Sequence, residues 1–148
     1  MNYQTAQKKH ALPPLEELEK AIDGKYEDDA HPSSALIKKS IERIDIFCKL
    51  IDGILHPDTN LATLQETECF TQEEKDAIFT VYKKLMFLKR RAMAVSLEMS
   101  EDEQWEYLVL FYREWQSLKQ ELKSMLDAMS NAWHTNNTRK KDDVQYFG

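Results

Sequence analysis

The chain has 148 residues, with 20 Lys and Arg against 26 Asp and Glu and a formal net charge of −6. That length suits one domain, whose core needs neither disulfides nor a structural metal. Only 3 Gly and 4 Pro occur, and residues 58–145 contain neither, a helical composition that argues against a Gly-rich phosphate-binding fold and a turn-rich β-sandwich.

Residues 1–12 show no hydrophobic period and read as a loosely attached arm. They hold no apolar stretch and no small-residue cleavage site, so they do not read as a secretory signal. Pro13 and Pro14 then precede a glutamate-rich first turn, a helix-entry signal. Leu15, Leu18 and Ile22 give a short helix one narrow apolar stripe, ending near Gly24. Residues 25–32 read as an acidic loop. Its aspartates lack the spacing of a calcium-binding loop.

A second helix is expected from Ser33 or Ser34, either of which can cap it, to about Leu55. Ile37, Ile41, Ile44, Cys48, Ile51 and Leu55 form one seam, and Leu36, Phe47, Leu50 and Ile54 flank it. Cys48 on that seam reads as a small buried hydrophobe. His56 before Pro57 reads as a C-cap that meets the free carbonyls. In residues 58–70, Leu61, Leu64 and Phe70 suggest a short helical turn that plugs one end of a bundle.

Thr71-Gln72-Glu73-Glu74 is a capping box that opens a third helix. Its seam is Ile78, Val81, Leu85, Leu88, Ala92, Val95 and Met99. Ser100-Glu101-Asp102-Glu103 is a second box, and it predicts a hairpin turn rather than one continuous rod. Leu108, Phe111, Trp115, Leu118, Leu122, Met125, Met129 and Ala132 form the seam of the helix that follows, to about Trp133. Residues 134–148 read as a polar tail with an apolar tip at Tyr146-Phe147. The expected fold is an all-α antiparallel bundle of three long helices and one short N-terminal helix, in a single domain over 13–133.

No local motif for chemistry appears. The Glu-x-x-His pairs of carboxylate-bridged metal bundles are absent, as are His-Glu-x-x-His, paired Cys-x-x-Cys and a Walker loop. No histidine lies near Cys69 in sequence to serve as its base. The acidic set Glu98, Glu101, Asp102, Glu103 and Glu106 reads as capping and dipole complementarity rather than a cation site. The expectation is a non-enzymatic chain without metal or cofactor. Two cysteines, no secretion signal and no run of about 18 apolar residues fit a cytoplasmic protein with no membrane insertion. The Asn136-Asn137-Thr138 sequon carries no weight in that setting.

Two features suggest binding. Tyr107-Leu108-Val109-Leu110-Phe111-Tyr112 is apolar or aromatic all round the fourth helix, and Val109 and Leu110 interrupt its polar line. Phe87 interrupts the polar line of the third helix, and a hairpin at residue 99 sets it level with residues 109–112. Contiguous apolar surface marks an interface, and aromatic residues are its usual anchors. The candidate partner-binding set is therefore Phe87, Val109, Leu110, Trp105 and Tyr112. The partner is another protein or a second copy in a homo-oligomer. The competing reading is that the first helix or the N-terminal arm covers this patch within one chain.

The second feature is basic. Residues 72–98 carry six cations against four acids, and 99–133 carry three against seven. Lys83, Lys84, Arg90 and Arg91 share one helix face and can hold phosphates of a nucleic acid or a lipid surface. The acidic total and the acidic neighbouring helix favour a solvated, intramolecularly paired face instead. The alternative function is thus a component or regulator of a nucleic-acid machine, or an acidic inhibitor of one, though −6 is modest for the latter.

Overall fold

The structure, a computed structural model, describes residues 1–26 and 31–134. Among them all regular structure is helical: α1 Tyr3–His10, α2 Leu15–Ile22, α3 Pro32–Leu55, α4 Leu61–Thr67, α5 Gln72–Glu98 and α6 Glu101–Ala132. The expected three long helices are present, joined by three short ones rather than one. The acidic stretch Glu27-Asp28-Asp29, the sequon and the Tyr146-Phe147 tip lie outside the described residues.

The long helices start and stop for local reasons. Pro32 opens α3, where a locked φ and a missing N–H cost nothing. Neither Ser33 nor Ser34 caps it. Both hydroxyls instead donate across the bundle to Gln104 Oε1, tying the start of α3 to the start of α6. His56 closes α3 through its backbone amide, 2.8 Å from the Asp52 carbonyl. The Thr71–Glu74 box forms in full, at 2.9 and 3.1 Å. Between α5 and α6 the chain turns at Met99, which takes a left-handed conformation at φ 57°. A non-glycine residue there costs about 1–2 kcal/mol. Of the expected second box only the Ser100 half forms, its hydroxyl accepting the Glu103 amide at 3.4 Å. Met99 projects from this turn and is exposed rather than on the core seam.

The long helices enclose one core. Lys89 Nζ lies 2.7 Å from Asp45 Oδ1 and Cys48 Sγ 3.9 Å from Met86 Sδ, so α3 and α5 run antiparallel. Ser40 meets Tyr107 at 3.3 Å, and the Phe47 and Trp115 rings lie 5.7 Å apart, so α3 and α6 run parallel. Between them Ile37, Ile44, Ile51, Leu85, Leu88, Leu108, Phe111 and Leu118 are buried. Burial pushes the Cys48 thiol up to about 11, which suits a structural cysteine.

Two ends of the bundle differ from expectation. At the α4 end, Thr67 and Phe70 are the buried residues, whereas Leu61 and Leu64 stay exposed. The Thr67 hydroxyl donates to the Ile54 carbonyl, and Gln65 Nε2 to the Ala132 carbonyl at 3.1 Å.

At the other end the expected loose arm is the helix α1, packed on α6. Tyr3, Ala6 and Leu12 are buried. Asn2 caps it, accepting from the Thr5 amide at 2.9 Å. Little more than two turns long, α1 shows too few inward positions for a period to be legible. The acids at the start of α6 hold it down. The Met1 amino group lies 3.3 Å from Glu101, and Lys9 and His10 each lie 3.0 Å from Asp102. Hydrogen bonds from Lys9 and His10 keep the Asp102 carboxyl below its usual range.

Candidate functional site

Because a helix turns about 100° per residue, the apolar run 107–112 reaches around all of α6, and the tertiary structure treats its parts differently. Tyr107, Leu108 and Phe111 are buried in the core. The Tyr107 hydroxyl meets Ser40, and burial pushes its phenol up to about 12. Val109, Leu110 and Tyr112 are half-buried against the core.

Trp105, Val109 and Tyr112 occupy one flank of α6, at helical spacing. The Trp105 side chain is fully buried, so it is not available as a surface anchor. Tyr3 of α1 meets it edge-on at 5.8 Å and meets Tyr26 edge-on at 5.9 Å. The Tyr3 hydroxyl donates to the Pro13 carbonyl at 2.6 Å. Burial raises the Tyr3 phenol above its ordinary value, with a smaller contribution from nearby Tyr112. On this flank, cover within one chain is the reading the structure supports. Trp105 Nε1 has no hydrogen-bond partner among the described residues.

Leu110 lies on the opposite flank, toward α5. It lines a cavity of about 440 Å³ with Arg91, Ala94, Val95, Glu98, Glu103, Glu106 and Tyr107. A neighbouring cavity of about 330 Å³ is lined by Thr80, Lys83, Lys84, Phe87, Leu88 and Glu114. Both belong to the groove between α5 and α6. Phe87 is 56% exposed, far more than the core residues Phe111 and Phe70, which are buried. The structure therefore brings Phe87 and Leu110 together along one groove, and separates them from Trp105, Val109 and Tyr112.

The basic face also departs from expectation. Lys89 pairs with Asp45. Lys83, Lys84, Arg90 and Arg91 form no ion pair among the described residues. The reason is visible in α5 itself, which offers no acid three or four residues from any of them. Lys83 sits 5.2 Å over the Phe79 ring, and Arg90 Nη1 lies 3.2 Å from Met93 Sδ. Sequence reading missed this. The absence of i±3 and i±4 acids was the signal that exposes it.

Among the described residues no three His, Cys, Asp or Glu side chains gather as metal ligands, and no helix is long and apolar enough to cross a membrane. The acidic start of α6 has a structural task, the anchoring of α1. Met125 and Met129 fill the core, while Met93 is exposed beside Arg90. No protein-family model, no curated protein and no solved structure matches the chain.

Proposed function

We propose that this chain is a helical protein–protein interaction module, self-associating or adaptor-like, which binds through the groove between α5 and α6. The observation that carries the reading is Phe87, exposed on a helix face, with half-buried Leu110 across the groove from it. Burying an aromatic side chain from solvent contributes on the order of 1–2 kcal/mol, enough for an anchor when polar groups around it are paired. Val109 and Tyr112 belong to the flank that α1 and α2 adjoin and play a secondary part. The reading assigns no catalytic residue and no cofactor.

Its test compares the wild-type chain with Phe87→Ser and Leu110→Glu. Light scattering after size exclusion reads self-association, affinity capture reads other partners, and circular dichroism reads helicity. Both substitutions are expected to abolish assembly or capture with helicity kept. If neither assembly nor any captured protein depends on these two residues, the reading fails.

A second reading rests on Lys83, Lys84, Arg90 and Arg91, which have no ion-pair partner among the described residues and suit phosphates. It makes the chain a component of a nucleic-acid machine. It predicts salt-dependent binding of duplex or single-stranded oligonucleotides that charge reversal at Arg90 and Arg91 weakens. No anisotropy change at low salt would remove it.

A further inference from the structure

At two levels the walls of the α5–α6 groove carry opposite charge, while nearer the Met99 turn both walls are acidic, with Glu98 on α5 and Glu103 on α6. Lys84 and Glu114 line one cavity with Phe87, and Arg91 and Glu106 line the next with Leu110. Neither cation is within ion-pair distance of a carboxylate among the described residues. Glu106 and Glu114 are likewise free of cationic partners across the groove; Glu114 approaches only its neighbour Arg113, at 3.8 Å. Among the described residues, Lys84 and Arg91 on one side and Glu106 on the other thus have no ion-pair partner, around two apolar residues.

This pattern selects the occupant. A nucleic acid lying along the cations would meet Glu114 and Glu106 on the facing wall, and like charges there oppose it. A suitable partner presents the reversed pattern, with acids over α5 and cations over α6. The α5–α6 hairpin, rotated about a two-fold axis parallel to its helices, is such a partner. That rotation sets the copy's α5 over α6 and leaves every residue at its own level. Lys84 then faces the partner's Glu114, Phe87 faces the partner's Leu110, and Arg91 faces the partner's Glu106. Each contact occurs twice, as an isologous interface requires. The copy's α5 runs antiparallel to the α6 it covers, so the four helices form an all-antiparallel bundle. The other face-to-face two-fold, perpendicular to the helices through Phe87, sets Lys83 and Lys84 against Arg90 and Arg91 of the copy. Its charges repel.

We infer that the groove is closed by a second copy of this chain, α5 on α6 in both directions. The inference rests on the groove reading above and adds the identity and register of the partner.

The experiment uses the full chain with Lys84→Glu, with Glu114→Lys, and with an equimolar mixture of the two variants. Each is followed by light scattering over a concentration series, and native mass spectrometry counts mixed dimers. Both positions face the open groove, and circular dichroism checks that the variants fold. The wild-type chain is expected to dimerise. Each variant alone sets like charges against each other twice and should dimerise roughly tenfold more weakly. The mixture should recover wild-type affinity as a mixed dimer, because each introduced charge then faces its opposite on the partner. Pairing within one chain gives no such rescue.

Failures are distinguishable. A wild-type chain that stays monomeric overturns the second copy, and leaves the groove reading to partner capture that depends on Phe87. A dimer broken by Phe87→Ser but not rescued in the mixture overturns this register and keeps the groove. A dimer indifferent to Phe87→Ser and Leu110→Glu overturns both. An oligonucleotide that binds the wild-type monomer and is lost with Lys84→Glu overturns the inference in favour of phosphate binding.

Discussion

The two flanks of α6 begin alike and end differently. Both carry large apolar residues outside the core seam, Trp105, Val109 and Tyr112 on one side and Leu110 on the other. On the first flank, α1 lays Tyr3 on Trp105, and α2 packs nearby between α3 and α6. On the second, Leu110 and Phe87 border an open groove. The charges differ in the same sense. Acids on the covered side are satisfied by Lys9, His10 and the amino terminus, whereas Lys84, Arg91 and Glu106 in the groove have no ion-pair partner among the described residues. One apolar band thus serves two purposes. Covered, it is core for a short helix; uncovered, it is a surface that gains by burial.

The comparison is broken most severely at Trp105. Trp105→Ala removes a fully buried side chain and should cost about 3–5 kcal/mol in urea unfolding. A loss below about 1 kcal/mol would mean that α1 is not seated as described. Tyr3→Phe keeps the ring on Trp105 and deletes the hydroxyl that donates to Pro13. The expected loss is about 1 kcal/mol, read from the same unfolding curves.

Acid should loosen the covered flank through Asp102. Its carboxyl titrates below the ordinary 3.8 in the folded chain. Its contribution is therefore complete above that value and is lost as pH falls through the lower folded value. The Asp102→Asn variant should lack this component, so its melting temperature and that of wild type should converge as the pH is lowered into that range. The carboxylate faces solvent, so the difference is smaller than for either aromatic change. On the open flank, Phe87→Ser should change the stability of the single chain by less than about 0.5 kcal/mol while abolishing assembly. A large loss of stability in dilute monomer would place Phe87 in the core and erase the contrast between flanks.

Much of the fold was legible in the sequence. The seams of α3, α5 and α6 repeat every three or four residues, and the Thr71–Glu74 box marks a boundary to the residue. The turn at Met99 was readable from Ser100 and the charge switch, although no glycine marks it. Phe87 and Leu110 were identifiable because each breaks a polar line. Trp105 was misplaced because a helical wheel shows which residues share a side, not what lies over it. The basic face was misjudged for a related reason. Overall charge suggested neighbours for Lys84 and Arg91, yet α5 supplies none within a turn, and those on α6 stand across a groove.

Helix identity, length and apolar seams follow from the sequence itself, because capping, backbone hydrogen bonding and periodicity act over a few residues. Which flank of α6 became core was decided only by the tertiary structure. The contacts that decide it join Lys9 and His10 to Asp102 across more than ninety residues. No local pattern records such a pairing, since it depends on where the folded helices leave room for a short one. The same holds for the groove, where opposite charges carried by two helices become neighbours only after the chain has turned at Met99.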